Sequence, residues 1–244
     1  MNLGVSAYKQ SRFEEAIQHF EKCVALAPEN SVAHLYLATA YAQQYIPGAD
    51  TPENNRMAEQ AIDQYQHVLD GNPVPSARIN SAKGIAYLYL QMKKFDDSKK
   101  YYRMASDLDP DDPENYYSLG VIDWTQTYVP RMDARARAGV KAQDSLASKD
   151  KQVCAEMKER NSANVEEGIL NLHKALKLRP DYDDAMAYMN LMYRERADIQ
   201  CDDPAARSAD LETADDWVDK TMATKKAKAK KAEHSTEPAA TNPQ

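Results

Sequence analysis

Glycine is scarce in this chain, with 7 in 244 residues, and β-branched runs are few. Alanine, glutamate, lysine, leucine and methionine dominate instead, which is a helical composition. The 3 cysteines are too few for a disulfide scaffold. Apolar runs of about 18 residues are missing, so no segment reads as a membrane span. The first residues show no basic segment followed by an apolar stretch, and so no export signal as written. Nothing resembles a glycine-rich phosphate loop or a nucleophile in a recognisable setting. The histidines at 19, 34, 67, 173 and 234 have no metal-ligand spacing and read as helix-surface residues. Acidic clusters at 107–114, 181–184 and 202–203 lack the glycine and the carboxylate ladder of a calcium loop. Helix capping and the N-terminal dipole account for them. These absences point away from an enzyme and from any cofactor or metal.

Charge narrows the partners. The net charge is −7, and five lysines lie within 225–231 with only Glu233 and Glu237 beyond them. Residues 1–224 therefore carry −10, a field that does not attract nucleic acid.

What the chain does contain is a repeated phrase. Leu3-Gly4, Phe13, Ala16, Phe20 and Pro28 return as Leu119-Gly120, Gly168, Leu172, Ala175 and Pro180. The second half returns at Phe95, Ser98, Tyr102, Ala105 and Pro110, and again as Ala61, Tyr65, Val68 and Pro73. The spacing resembles the tetratricopeptide repeat of bacterial type, two antiparallel helices in about 34 residues. The resemblance covers roughly residues 1–199. It implies an all-α, right-handed superhelical solenoid of about five helix hairpins, closed by a C-terminal capping helix. The repeats fall at about 1–30, 31–75, 79–112, 113–182 and 183–199. The capping helix is expected at about 200–231 and a disordered tail at about 232–244. Small residues (Gly4, Ala16, Ala38, Ala61, Gly120, Ala175) let paired helices approach; Phe13, Phe20, Tyr65, Phe95 and Tyr102 fill the space between repeats.

The repeat is interrupted between its helices. Repeat two has about 11 extra residues and repeat four about 36, at roughly 125–164. Val153, Met157, Val165, Ile169 and Leu172 recur at helical spacing, so an overhanging helix is expected from near Lys149 or Asp150. Residues 131–148 read as a mobile loop. Both interruptions open on one phrase, Gln43-Gln44-Tyr45-Ile46-Pro47 and Gln126-Thr127-Tyr128-Val129-Pro130. Two readings stand: a common way to end a helix, or an edge that meets a partner through Tyr45, Pro47, Tyr128 and Pro130. Cys23 is expected to be buried. Cys154 and Cys201 both fall on the insertion edge, either bonded or as two free thiols.

In the resembled family the first helices line a concave groove. The corresponding positions here are Val5, Tyr8, Leu35, Thr39, Tyr87, Leu90, Tyr117, Val121, Trp124 and Leu191. The stripe is apolar and aromatic and suits a protein or peptide partner. The chain's own insertion or last helix is the rival occupant. A basic clamp for chaperone tails is not matched, since only Lys83 lies near a suitable place. The resulting expectation is a non-enzymatic scaffold, or a docking subunit of an envelope or enzyme assembly. The first repeat lacks its opening turn, so an upstream extension is expected, and with it the periplasm or cell envelope; otherwise the cytoplasm. Membrane contact would need that missing anchor or the basic 225–231 segment.

Overall fold

A computed structural model describes residues 1–141 and 144–236. Those residues are all-helical, without strands. The helices are α1 (Asn2–Lys9), α2 (Phe13–Leu26), α3 (Ser31–Gln44), α4 (Pro52–Asp70), α5 (Pro75–Gln91) and α6 (Phe95–Leu108). After them come α7 (Pro113–Arg137), α8 (Leu146–Lys149), α9 (Lys151–Leu178), α10 (Asp183–Asp198) and α11 (Pro204–Thr236). The chain forms two compact bodies, Met1–Asn115 and the part from Tyr116 onward.

Local chemistry sets the boundaries. Asn30 caps α3, its side chain accepting from Val32 N at 3.1 Å and Ala33 N at 3.2 Å. Thr51 caps α4 from Asn54 N at 3.2 Å, with Pro52 in the first turn, where a missing N–H costs nothing. Asp150 caps α9 through Val153 N at 3.0 Å. The stops recur with the repeat: α2, α6 and α9 each end two residues before Pro28, Pro110 and Pro180.

In the N-terminal body, α1 pairs with α2, α3 with α4 and α5 with α6, while α2 also packs on α3 and α4 on α5. Close approach is paid in glycine: a Cβ on Gly4 would lie 2.5 Å from the Phe20 ring, and one on Gly84 2.6 Å from Tyr65. Phe20 is fully buried and stacks on Tyr36 of the next hairpin, centroids 5.4 Å apart. The turns of repeats one and three each put a non-glycine residue in the left-handed region, Ser11 at φ 59° and Lys93 at φ 58°.

In the C-terminal body α7 lies against α9. A Cβ on Gly120 would come within 2.6 Å of Leu172, and Asn161 donates to the Thr127 carbonyl at 3.2 Å. α11 packs along α10. It is the second helix of the fifth hairpin.

Several boundaries differ from the sequence reading. The third hairpin starts at Pro75 rather than near residue 79, because proline is tolerated at a helix start. Residues 131–137, read as loop, belong to α7, which passes through Pro130. α11 continues beyond residue 231 to Thr236; the rest of the 232–244 tail lies outside the described residues.

Candidate functional site

The two copies of the shared phrase have different fates. Gln43-Gln44-Tyr45-Ile46-Pro47 ends α3, and the Tyr45 ring is buried. The second copy does not end α7, although Pro130 has no N–H for the carbonyl four residues back. The helix is held from outside. Arg131 Nε donates to Asp198 Oδ2 at 2.6 Å and its Nη1 to Glu195 Oε1 at 3.1 Å. Arg135 Nη1 meets both Asp198 oxygens at 2.8 Å, and its Nη2 donates to the carbonyls of Lys141 and Asp144. Arg135, Glu195 and Asp198 are buried. Burial pushes the Glu195 carboxyl up to about 7, against the opposing pull of Arg131. This buried charge cluster went unseen in the sequence, where the four residues look like ordinary helix-surface charges. Their i, i+4 spacing on α7 and i, i+3 spacing on α10 was the available signal.

The cluster sits beside Cys154 and Cys201, which the structure joins, with Cα atoms 5.7 Å apart across 47 positions of sequence. Cys154 is buried in the first turn of α9; Cys23, expected buried, is only half-buried. α7 has 25 residues and α9 28, against 14 in α2 and α6. The two long helices therefore project together roughly 15–20 Å past a normal hairpin end.

Groove-position residues of the C-terminal body gather around a tyrosine not singled out in the sequence. Tyr188 of α10 stands edge-on to both Trp124 (5.4 Å) and Tyr117 (5.7 Å). Trp124 also packs on Tyr128 at 4.8 Å, and Tyr117 on Tyr182 at 4.8 Å. Burial raises the Tyr188 hydroxyl. The indole N–H of Trp124 is buried with no acceptor. Val121 and Leu191 are half-buried. Further along α7, Tyr128 (38%) and Met132 (42%) are exposed one turn apart, and Val129 (57%) is exposed on another side of the helix. Pro130 is half-buried.

Contacts of α11 fall elsewhere. Trp217 faces His173 of α9 at 6.1 Å, and Arg196 of α10 binds Asp210 at 2.6 Å. Lys228 binds Asp183 at 2.5 Å, with Lys225 at 4.0 Å, and the lysine hydrogen bond lowers the Asp183 carboxyl. Two lysines of the basic segment are thus engaged with the start of α10.

In the N-terminal body, Val5, Tyr8, Leu35 and Leu90 are half-buried and Tyr87 is exposed. Thr39 Oγ1 donates to the Leu35 carbonyl and lies 3.3 Å from Tyr65 Oη, which reaches the face past Gly84. Burial raises the Tyr45 hydroxyl, with nearby Tyr87 adding to it. Lys83 is spent on Asp112 at 2.7 Å. His34 corrects the surface reading of the histidines: it is 5% exposed. Its Nε2 donates to the Pro28 carbonyl at 2.8 Å, and its ring stacks on His67 at 4.9 Å.

Models of the tetratricopeptide repeat match residues 1–30 and 84–112. The chain carries tetratricopeptide repeats. No curated protein matches its sequence. Among solved structures it is similar to a crystal structure of MamA, with TM-score 0.63, 13% identity and coverage of 94% of this chain and 98% of that one. MamA from Desulfovibrio magneticus RS-1 gives TM-score 0.59 at 14% identity, covering 93% of each chain. YrrB, a repeat protein with an unusual peptide-binding site, gives 0.55 at 14% identity, covering 93% of this chain and 89% of its own. At these identities the likeness is one of fold. The repeat matches, and not this likeness, support the class of protein-interaction scaffolds.

Proposed function

We propose that this protein is a non-enzymatic scaffold that binds a peptide segment of a partner protein. The partner lies on the α7–α10 face of the C-terminal body, around Trp124. In the N-terminal body the corresponding face (Tyr8, Leu35, Thr39, Tyr87, Leu90), with Tyr45 and Pro47 at its insertion, is a contact surface of its own; in the C-terminal body Tyr128 and Pro130 add to the Trp124 face. One observation carries this reading. The Trp124–Tyr188 cluster extends through the Trp124–Tyr128 contact to an exposed tyrosine, with Met132 exposed one turn further along α7. Aromatic anchors with an accessible apolar rim are the usual make-up of a hot spot. Self-filling of the groove is not favoured, because α11 binds the flank formed by α9 and α10. The solved peptide-binding site of YrrB belongs to a chain of the same fold.

The test is photo-crosslinking from position 128 to identify the partner segment, then titration with that purified segment. Trp124→Ala is expected to weaken binding by about 2 kcal/mol, roughly thirtyfold. Met132→Glu, on an exposed site, guards against misfolding as the cause. Unchanged affinity in both variants would discard the reading.

A further inference from the structure

The outer end of α7 depends on its neighbours. Pro130 has no N–H for the Gln126 carbonyl, so the helix is weakened where it leaves the hairpin. Residues 131–137 lie beyond that point. Their apolar support is slight. Ala134 is buried with Leu146, Cys154 and Ile199, while Ala138, Val140, Ala147 and Cys201 pack on the same cluster. The ion pairs of this segment run to the last turn of α10, from Arg131 to Glu195 and Asp198 and from Arg135 to Asp198. Attraction between buried charges is largely offset by their lost hydration. Such pairs hold a helix only while the partner stays within hydrogen-bond range, and both Asp198 contacts lie at 2.6–2.8 Å.

The disulfide keeps Asp198 in that range. Cys201 follows Asp198 by three residues, and Cys154 Sγ lies 3.4 Å from the Asp198 carbonyl. The S–S bond therefore ties the end of α10, with Asp198 on it, to the first turn of α9. Cross-links over a separation of 47 residues shift an opening equilibrium by about thirtyfold or more. Cys154 is fully buried and Cys201 half-buried, so a reductant reaches the pair at Cys201.

We propose that the Cys154–Cys201 disulfide is a redox latch for the outer end of α7. A small dithiol attacks Cys201 Sγ and forms a mixed disulfide there; the protein S–S bond breaks, and Cys154 leaves and takes a proton. The second thiol of the reductant then closes its own disulfide and frees Cys201, which takes the other proton. The protein pair gains two electrons and two protons, and the dithiol loses them. Asp198 is then no longer anchored, its pairs with Arg131 and Arg135 loosen, and 131–137 unwinds from Pro130 outward. Met132 lies in the released segment and Tyr128 one turn before it, so reduction removes the apolar rim of the Trp124 face. That last consequence rests on the proposed function, whereas the release of α7 does not.

The test is native-state amide exchange on the full chain carrying Cys23→Ser, with and without dithiothreitol. Intact mass is expected to show the pair reduced. Exchange across 131–137 is expected to quicken at least thirtyfold, following the early turns of α9, with α1 to α6 unchanged. Cys154→Ser/Cys201→Ser should reproduce this without reductant. Pro130→Ala, which restores the missing N–H, should keep 131–137 protected after reduction. A reduced protein with 131–137 as protected as before overturns the latch. Unfolding of the whole body from Tyr116 onward overturns it too, as does an equal rise in Pro130→Ala. No partner enters these measurements, so the latch and the Trp124 face succeed or fail separately.

Discussion

Asp198, in the last turn of α10, accepts from Arg135 through both carboxylate oxygens at 2.8 Å, 63 residues away in sequence. The pair fastens the end of α7, past Pro130, to the fifth hairpin. Removing one partner leaves a buried charge uncompensated, which costs about 3–5 kcal/mol. Arg135→Ala and Asp198→Ala are each expected to lower unfolding stability by that amount in denaturant titration. The double variant should lose less than the sum of the two. Additive losses would show that the pair does not act as a unit.

Glu195 gives the same cluster a pH dependence. Its folded carboxyl titrates at about 7, against an ordinary value of 4.5. The folded state then binds more protons than the unfolded one between these values, so stability falls as pH rises from about 4.5 to 7. The full effect is at most about 3 kcal/mol. Glu195→Gln, which cannot ionise, is expected to flatten this slope in melts taken at successive pH values. An equal slope in wild type and variant would reject the assignment.

Gly168 stands where this repeat usually has alanine. A Cβ there would lie 2.5 Å from Met192 Cε and 2.9 Å from the Cβ of Asp123. Alanine gains about 1 kcal/mol of helix propensity. Overpacking a filled core costs about 1–3 kcal/mol. The overlap involves an atom fixed to the α7 backbone and therefore prevails. Gly168→Ala is expected to lower the melting temperature, the reverse of what the repeat pattern suggests; a rise would mean that α7 yields.

Cys154 and Cys201 close a loop 47 residues apart in sequence. A cross-link over a loop of this length typically contributes about 2–4 kcal/mol. Unreduced protein is expected to resist alkylation at both thiols, and reduction to lower stability by that amount. Local amide exchange should then rise first in the early turns of α9. Two thiols freely alkylated in native, unreduced protein would contradict this.

The aromatic, glycine and proline positions of the hairpins were readable because a repeat imposes one packing problem several times over. Gly4 beside Phe20 and Gly120 beside Leu172 are the same answer in two places. The candidate surface was legible only in part. Trp124 and Tyr117 stand at groove positions by repeat phase alone. Tyr188 does not, and its role as the ring joining them depends on how α10 packs against α7.

Sequence alone determined the hairpin periodicity, the helix stops before Pro28, Pro110 and Pro180, and the sites of both interruptions. These follow from local rules of spacing, capping and backbone geometry. Tertiary structure decided what the interruptions became. One phrase with tyrosine and proline ends α3, while its near copy lies inside α7. The local preference at Pro130 is to stop the helix, and Arg131 and Arg135 overrule it by pairing with Glu195 and Asp198, partners more than 60 residues away. Long-range charge pairing of this kind has no signature within a local stretch of chain.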